Sequence, residues 1–390
     1  MKRSTIRKIT AVITLLAMAA LLLAACGSDE PAAPATGTGD VGAAHQSFRI
    51  GINTWGAGVP VLDKFGDMAQ HSLEVYGMTV ERVSDMHNPD EGLRNVQNFI
   101  AAGVDGLLVQ SNAPPSLPLI ADVAGGAEVP FAFYIFVGDD PDRDIIARNN
   151  PFFAGAVDAD MVLDGYDIGH AAIRDGHRTA LLIGGNHGDN NMDQRIEGFR
   201  RSFVEIGGGT ILYESRNLNP GVGQQGALDM ISAFPDADMI YALVGDYAIG
   251  VVAALDVLGV DIPVYSSVID AVTAGHIRDG RVVEGNNGIF LAAGIAPALL
   301  INFMDGHPIL NDEGLPPRLR TQSFLVTPDN VDAYLSVFFS DDRPVIPDSI
   351  LRNLLWRYNP DVTYQDFVDL IQNGLDLNSL LAAHGLPTVD

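Results

Sequence analysis

Residues 179–203, TALLIGGNHGDNNMDQRIEGFRRSF, can be read in few ways. Ala180 to Ile183 is an apolar run too short for a free-standing helix, and Gly184-Gly185 closes it, so it reads as a buried strand. A polar loop follows, Asn186 to Asn191, and then a helix carrying Ile196, Phe199 and Phe203 on one face. Such a unit places its loop at the carboxyl end of a parallel strand, where open α/β sheets bind ligands. Arg195 sits early in that helix, within reach of the mouth. It precedes Ile196 and is expected to lie off the apolar face, so its removal should leave stability unchanged.

The same alternation runs through the preceding sequence. Strands are predicted at 48–53, 78–83, 104–110 and 130–136, with helices at 59–76, 90–102 and 116–124 between them. Gly77 and Gly103 stand where left-handed caps end two of those helices. Regular β-α alternation implies parallel sheets, and the roughly 340 residues after the amino-terminal region exceed one hydrophobic core. The fold class is therefore α/β, with two doubly wound parallel-sheet lobes and a ligand between them. Three loops of the first lobe face such a ligand: Asn53-Thr54-Trp55, Gln110-Ser111-Asn112 and Phe136-Val137-Gly138. Trp55, in a glycine-rich loop, could lie against the C–H face of a sugar while Asn53 and Asn112 bind hydroxyls; the competing reading packs Trp55 under its loop as core. Asp139 to Asp144 contains Pro141 and no ligand spacing, and reads as a solvated loop.

The amino terminus is a targeting segment. Lys2, Arg3, Arg7 and Lys8 precede an apolar run, Ala11 to Ala25, that is too short for a membrane span. Leu23-Ala24-Ala25-Cys26 resembles a bacterial lipobox, which implies residues 1–26 as a signal with Cys26 as the lipidated first mature residue. Cys26 is the one cysteine, so no intramolecular disulfide and no cysteine-based zinc site can form. Residues 27–46, rich in Ala, Pro, Gly and Thr, read as a tether. The formal charge of −26 argues against nucleic acid, whose binding needs cations on phosphates.

Catalytic and metal motifs fail on inspection. Asp189 to Asp193 opens like a calcium loop, yet Gln194 and Arg200 stand where Gly and Glu are required. Gly184 to Gly188 lacks the Lys of a phosphate loop, and His187 has no partner at metal-binding spacing. No G-x-S-x-G or H-E-x-x-H occurs. The chain reads as a binding protein, not an enzyme, without cofactor or metal.

Several segments together carry a family resemblance. They are Val104–Gln110, the crossover residues Val157, Asp160 and Gly165, the helix residues Arg195, Gly198 and Phe199, the run Gly245–Gly250, the turn Ile277–Gly280, and Val326–Val331. In order and spacing, over about Phe48 to Tyr334, they resemble the type I periplasmic sugar-binding proteins of the ribose- and galactose-binding group. The resemblance implies a multi-strand hinge between an amino-terminal lobe, 47–157 plus 289–322, and a carboxyl-terminal lobe, 158–288 plus 323–340. It implies Arg195 as a ligand-gripping arginine, and Asp270, after strand Val264–Ser267, as an acidic partner for the same hydroxyls. Asp246 and, after a strand at 281–285, Asn286 or Asn287 complete the implied set. Two departures leave the sugar open: Gly245 where an Asn is common, and Phe136-Val137-Gly138 where an Asp-Arg pair is common.

The function so implied is a lipid-anchored extracytoplasmic receptor on the bacterial cell membrane. It would close on a small neutral sugar or polyol and deliver it to an ABC permease. The alternatives are a sensor presenting its closed form to a membrane kinase or chemoreceptor, and a nucleoside-like ligand. Residues 341–390 add amphipathic helices at 350–358 and 367–383, expected to pack on the second lobe.

Overall fold

A computed structural model describes residues 45–135, 137–216 and 223–389; the leader, Cys26, nearly all of the tether and Phe136 lie outside them. Twelve strands are described: β1 (Arg49–Thr54), β2 (Thr79–Ser84), β3 (Gly106–Val109), β4 (Phe131–Tyr134), β5 (Phe153–Ala159), β6 (Thr179–Ile183), β7 (Thr210–Ser215), β8 (Met239–Ala242), β9 (Val264–Ser267), β10 (Glu284–Asn287), β11 (Arg318–Thr321) and β12 (Phe324–Val326). The helices between β1 and β7 are α1 (Pro60–Val75), α2 (Pro89–Ala101), α3 (Ser116–Gly126), α4 (Asp140–Asn149), α5 (Met161–Arg174) and α6 (Asn190–Phe199). After them come α7 (Gly223–Ala233), α8 (Gly245–Leu258), α9 (Ala271–Arg278), α10 (Ile289–Met304), α11 (Val331–Phe338), α12 (Asp348–Asn353), α13 (Tyr364–Asn373) and α14 (Leu377–Ala383).

The strands form two six-stranded sheets, ordered β11-β5-β4-β3-β1-β2 and β12-β10-β9-β8-β6-β7. All neighbours are parallel except β10 and β12. The two orders are the same winding repeated, and each reverses direction once, between β1 and β3 and between β6 and β8. Those reversals are the places where a doubly wound sheet opens a crevice. The chain passes from one sheet to the other after β5, after β10 and after β11. The Thr321 hydroxyl lies 3.1 Å from the Asp158 carbonyl and 3.0 Å from that of Gly288, so one side chain joins the three crossing segments.

Local chemistry explains most boundaries. Gly77 and Gly103 close α1 and α2 at φ 80° and 74°. Asp160 caps α5 through the Leu163 amide. The 139–144 segment corrects the loop expected there: Asp139 forms a capping box with Asp142, and Pro141 occupies the first turn of α4. In that turn a missing N–H breaks no helical bond, so proline starts a helix instead of stopping one. A second correction concerns β10, which runs Glu284–Asn287. Asn286 and Asn287 are strand residues, not the loop after it.

The carboxyl-terminal helices correct a third expectation, because they dock mainly on the first lobe. Arg357 holds Asp305 through two bonds of 2.5 and 2.7 Å, and the Asn302 side chain is bonded to the backbone of both Leu354 and Trp356. Asp305 and Asn302 belong to the end of α10, and α12 packs on α1 as well. The helix α14 also reaches α11 of the other lobe. Apolar periodicity showed that these helices bury a face; the polar groups at the end of α10 decide which surface receives it.

Candidate functional site

Between the lobes lies a cavity of about 520 Å³ lined from both sheet reversals. From the first lobe come the loops after β1 (Trp55, Val59), after β2 (Met86, His87), after β3 (Gln110, Asn112) and after β4 (Ile135). From the second come the loop and helix after β6 (Asn186, Asp189, Asn191, Arg195), the start of α8 (Asp246, Tyr247) and Val268 after β9. Parallel strands end on one side of each sheet, so residues more than a hundred positions apart meet here.

Arg195 is placed by glycine. A Cβ on Gly165 would lie 1.8 Å from the Arg195 carbonyl, and one on Gly198 1.8 Å from that of Val162, so α5 and α6 cross with backbones touching. The helix buries Ile196 and Phe199 in the second lobe, and Phe203 joins them from a π-helical continuation, Arg200–Ile206, where the spacing predicts regular α-helix. Arg195 is buried as well, only 1% exposed, with its guanidinium 3.3 Å from the Asp164 carboxylate. Asp164 also accepts a bond from the Ser323 hydroxyl in the third crossing segment, and its carbonyl accepts one from the Asn286 amide at 2.7 Å. Burial pushes the Asp164 carboxyl up, against the pull of Arg195. The pair overturns the expectation that Arg195 is dispensable for stability: without it, Asp164 would be a buried charge lacking its cation.

Two buried polar atoms of the cavity's residues have no hydrogen-bond partner among the described residues: Asn112 Oδ1 and Arg195 Nε. One is an acceptor from the first lobe and the other a donor from the second. Groups of this kind are rare in folded chains because each forfeits its hydration. Asp246 lies in the first turn of α8, where burial and nearby Asp270 push its carboxyl up to about 6. Asp189 caps α6 through the amides of Asn191 and Met192. Among the described residues no three His, Cys, Asp or Glu converge on a metal position. Nor is any described helix long and apolar enough to cross a membrane.

Trp55 is half-buried and lines the cavity, its ring edge-on to His87 at 5.8 Å. Its backbone N–H donates to Gln110 Oε1 at 3.2 Å, which ties the β1 and β3 loops together. Four of the residues singled out from sequence thus line the cavity: Trp55, Asn112, Arg195 and Asp246. The other four do not. The Asn53 amide donates to Asp85 and the Gln110 carbonyl and accepts from Asn95, so it braces the strand ends behind the loop. Asp270 caps α9 through the Thr273 amide. Asn286 is turned to the Asp164 carbonyl, and Asn287 to Tyr334 and Ile269.

Sequence reasoning missed Asp164, Asp189, Asn191, His87 and Tyr247. A helix N-cap reading would have marked Asp189, since it precedes a predicted helix. Asp164 gave no such signal, being one carboxylate on the face of α5 that only the crossing with α6 turns toward Arg195.

The sequence pattern of the periplasmic binding protein domain matches residues 50–283. No curated protein matches the chain. Among solved structures it is similar to a galactofuranose binding protein, at 19% identity and TM-score 0.66, covering 74% of this chain and 97% of that one. It is equally similar to a periplasmic solute binding protein from Actinobacillus succinogenes with bound D-allose, at 17% identity and TM-score 0.66, over 74% and 100% of the two chains. A carbohydrate transporter protein from Acidothermus cellulolyticus in complex with myo-inositol follows at 16% identity and TM-score 0.64, over 74% and 96%.

Proposed function

The chain belongs to the periplasmic binding protein family, which binds solutes and does not transform them, and from that premise we propose that it is the receptor of an ABC importer for a small sugar or polyol. The observation that carries this reading is that Asn112 and Arg195, which line one cavity from opposite lobes, each keep a buried polar atom, Oδ1 and Nε, without a partner among the described residues. A ring of hydroxyls satisfies both at once, since a hydroxyl donates and accepts. Galactofuranose, D-allose and myo-inositol, named with the structural neighbours, are ligands of that chemistry.

Binding then favours the closed arrangement, because only there do both lobes reach the same ligand. Thr321, bonded to two other crossing segments, gives the lobes a common pivot. The Ser323–Asp164–Arg195 chain links that pivot to the ligand. The closed form is what a permease would recognise. Attachment to the membrane would come through a lipid on Cys26, and its test is mass spectrometry of the membrane-extracted protein: a lipid-free mature terminus sinks it.

A thermal-shift panel of monosaccharides, inositols and nucleosides identifies the ligand class. Small-angle scattering with the best hit should show a smaller radius of gyration. An unchanged radius at saturation rules out closure, and a panel in which only nucleosides stabilise the protein replaces the sugar with a nucleoside.

A further inference from the structure

The walls of the cavity are chemically unlike. Asp189, Arg195 and Asp246 all come from the second lobe, and among the described residues the first lobe lines the cavity with no Asp, Glu, Lys or Arg. In their place it presents Val59, Val61, Leu62, Phe65, Met86 and Ile135. Hydroxyl groups can pair with the wall's Asn112, but they gain nothing from this apolar stretch, and the desolvation of each hydroxyl placed against it would go uncompensated.

Two of these six residues, Met86 and Ile135, are held there against a local backbone preference. Five non-glycine residues among those described have left-handed φ, and four of them line the cavity: Met86 (52°), His87 (65°), Ile135 (51°) and Val268 (54°). For β-branched Ile and Val this region is disfavoured by about 1–2 kcal/mol, and Gly or Asn would relax it. Strain of this kind persists where surrounding packing over-determines it, and it gathers at ligand sites. At the mouth, Met86 is 63% exposed, an apolar side chain left to water beside a cavity.

We propose that the natural ligand is amphiphilic. Its polyhydroxyl part faces Arg195, Asp189 and Asp246, and a hydrophobic substituent on the ring, such as an aglycone, lies against Leu62, Met86, Ile135 and their neighbours. This rests on the solute-receptor reading above. Closure then removes apolar surface from water on protein and ligand together, and the left-handed Met86 and Ile135 serve to aim that wall.

The test is titration calorimetry on the full-length protein with galactose, allose, ribose and myo-inositol, each against its O-methyl and O-phenyl derivatives. The phenyl derivative in at least one series should bind about tenfold or more tightly than its parent, the affinity that burying roughly two methylenes supplies, with the methyl derivative between. Leu62→Asn and Met86→Gln should each shrink that ratio. Parents that bind as well as or better than every derivative overturn this inference and leave the receptor reading standing. If no compound of any series binds, both fall. An undiminished ratio in both variants would place the substituent elsewhere and overturn the assignment of the wall.

Discussion

The two lobes share one winding, with strands ordered 2-1-3-4-5 in the first and 7-6-8-9-10 in the second. Each opens a crevice at the same reversal, and each sends the same loops into it. Their contributions to the cavity nevertheless differ: the second lobe supplies the charged side chains and the first supplies aliphatic ones around Trp55 and Asn112. Topology therefore decides where a ligand can sit, and a few side chains at strand ends decide what kind of ligand it is. The supports differ too. Polar groups at the second-lobe wall are held by a buried ion pair, Arg195 with Asp164, while the first-lobe loops are braced by neutral amides of Asn53, Asn95 and Gln110.

The strongest way to break this contrast is Arg195→Ala. Losing two charge-assisted hydrogen bonds at roughly 1.5–3 kcal/mol each should weaken binding of the best panel ligand by about two to four powers of ten. Unlike a surface change, it should also destabilise the fold by about 3–5 kcal/mol, because Asp164 stays buried without its cation. Arg195→Lys should restore little binding, since a point charge does not reproduce the planar fork. Calorimetry and denaturant unfolding read both effects, and affinity within threefold of wild type would remove the second lobe as the polar wall.

Next in size is the docking of the tail. Arg357→Ala leaves the Asp305 carboxylate, 11% exposed, without its two bonds and should lower stability by about 3 kcal/mol. Hydrogen exchange should then rise in α10 and α12 before it rises in the second-lobe sheet. Equal loss of protection in both lobes would contradict docking on the first.

Asn112→Ala tests the neutral side of the contrast. One neutral hydrogen bond is at stake, so affinity should fall by roughly tenfold, with stability nearly unchanged because Asn112 Oδ1 has no partner to lose. A loss as large as that of Arg195→Ala would mean that the lobes share the polar work evenly.

The smallest effect is in pH. The Asp246 carboxyl sits at about 6, raised first by burial and then by Asp270, with Asp189 and Arg195 in the same cavity. A folded value above the unfolded one means that its stabilising share is complete below the unfolded value and is lost as pH rises through about 6. Binding runs the other way, since the ionised form is the better acceptor, so affinity should drop several-fold as pH falls from about 7 to about 5.5. Asp246→Asn should flatten the binding profile and lessen the slope in stability, to which Asp158 and Asp167, also pushed up to about 6 by burial, still contribute. Asp85, also pushed up to about 6 by burial, stands in the first lobe and should leave a residual slope in stability alone.

How far these features were legible varies from residue to residue. The buried run Ala180 to Ile183, the face of Ile196, Phe199 and Phe203, and the glycine caps at 77 and 103 follow from local periodicity and backbone freedom, and all could be read from the chain. Asp140 to Asp144 was misread because proline has opposite meanings in the first turn and in the interior of a helix, and only the cap at Asp139 separates them.

The sequence by itself determined the alternation of strands and helices, the doubly wound class, and which loops stand at strand ends, because each depends on neighbours within a few residues. Tertiary structure decided which residues of those loops face the cavity. Trp55 lines it while Asn53, two positions earlier, is spent bracing Asp85 and Asn95, and nothing local distinguishes their roles. It also decided that Arg195 is buried against Asp164, a contact across 31 positions made when Gly165 and Gly198 let two helices touch. Long-range contacts depend on how whole elements cross, and a crossing is fixed only when both surfaces have been packed.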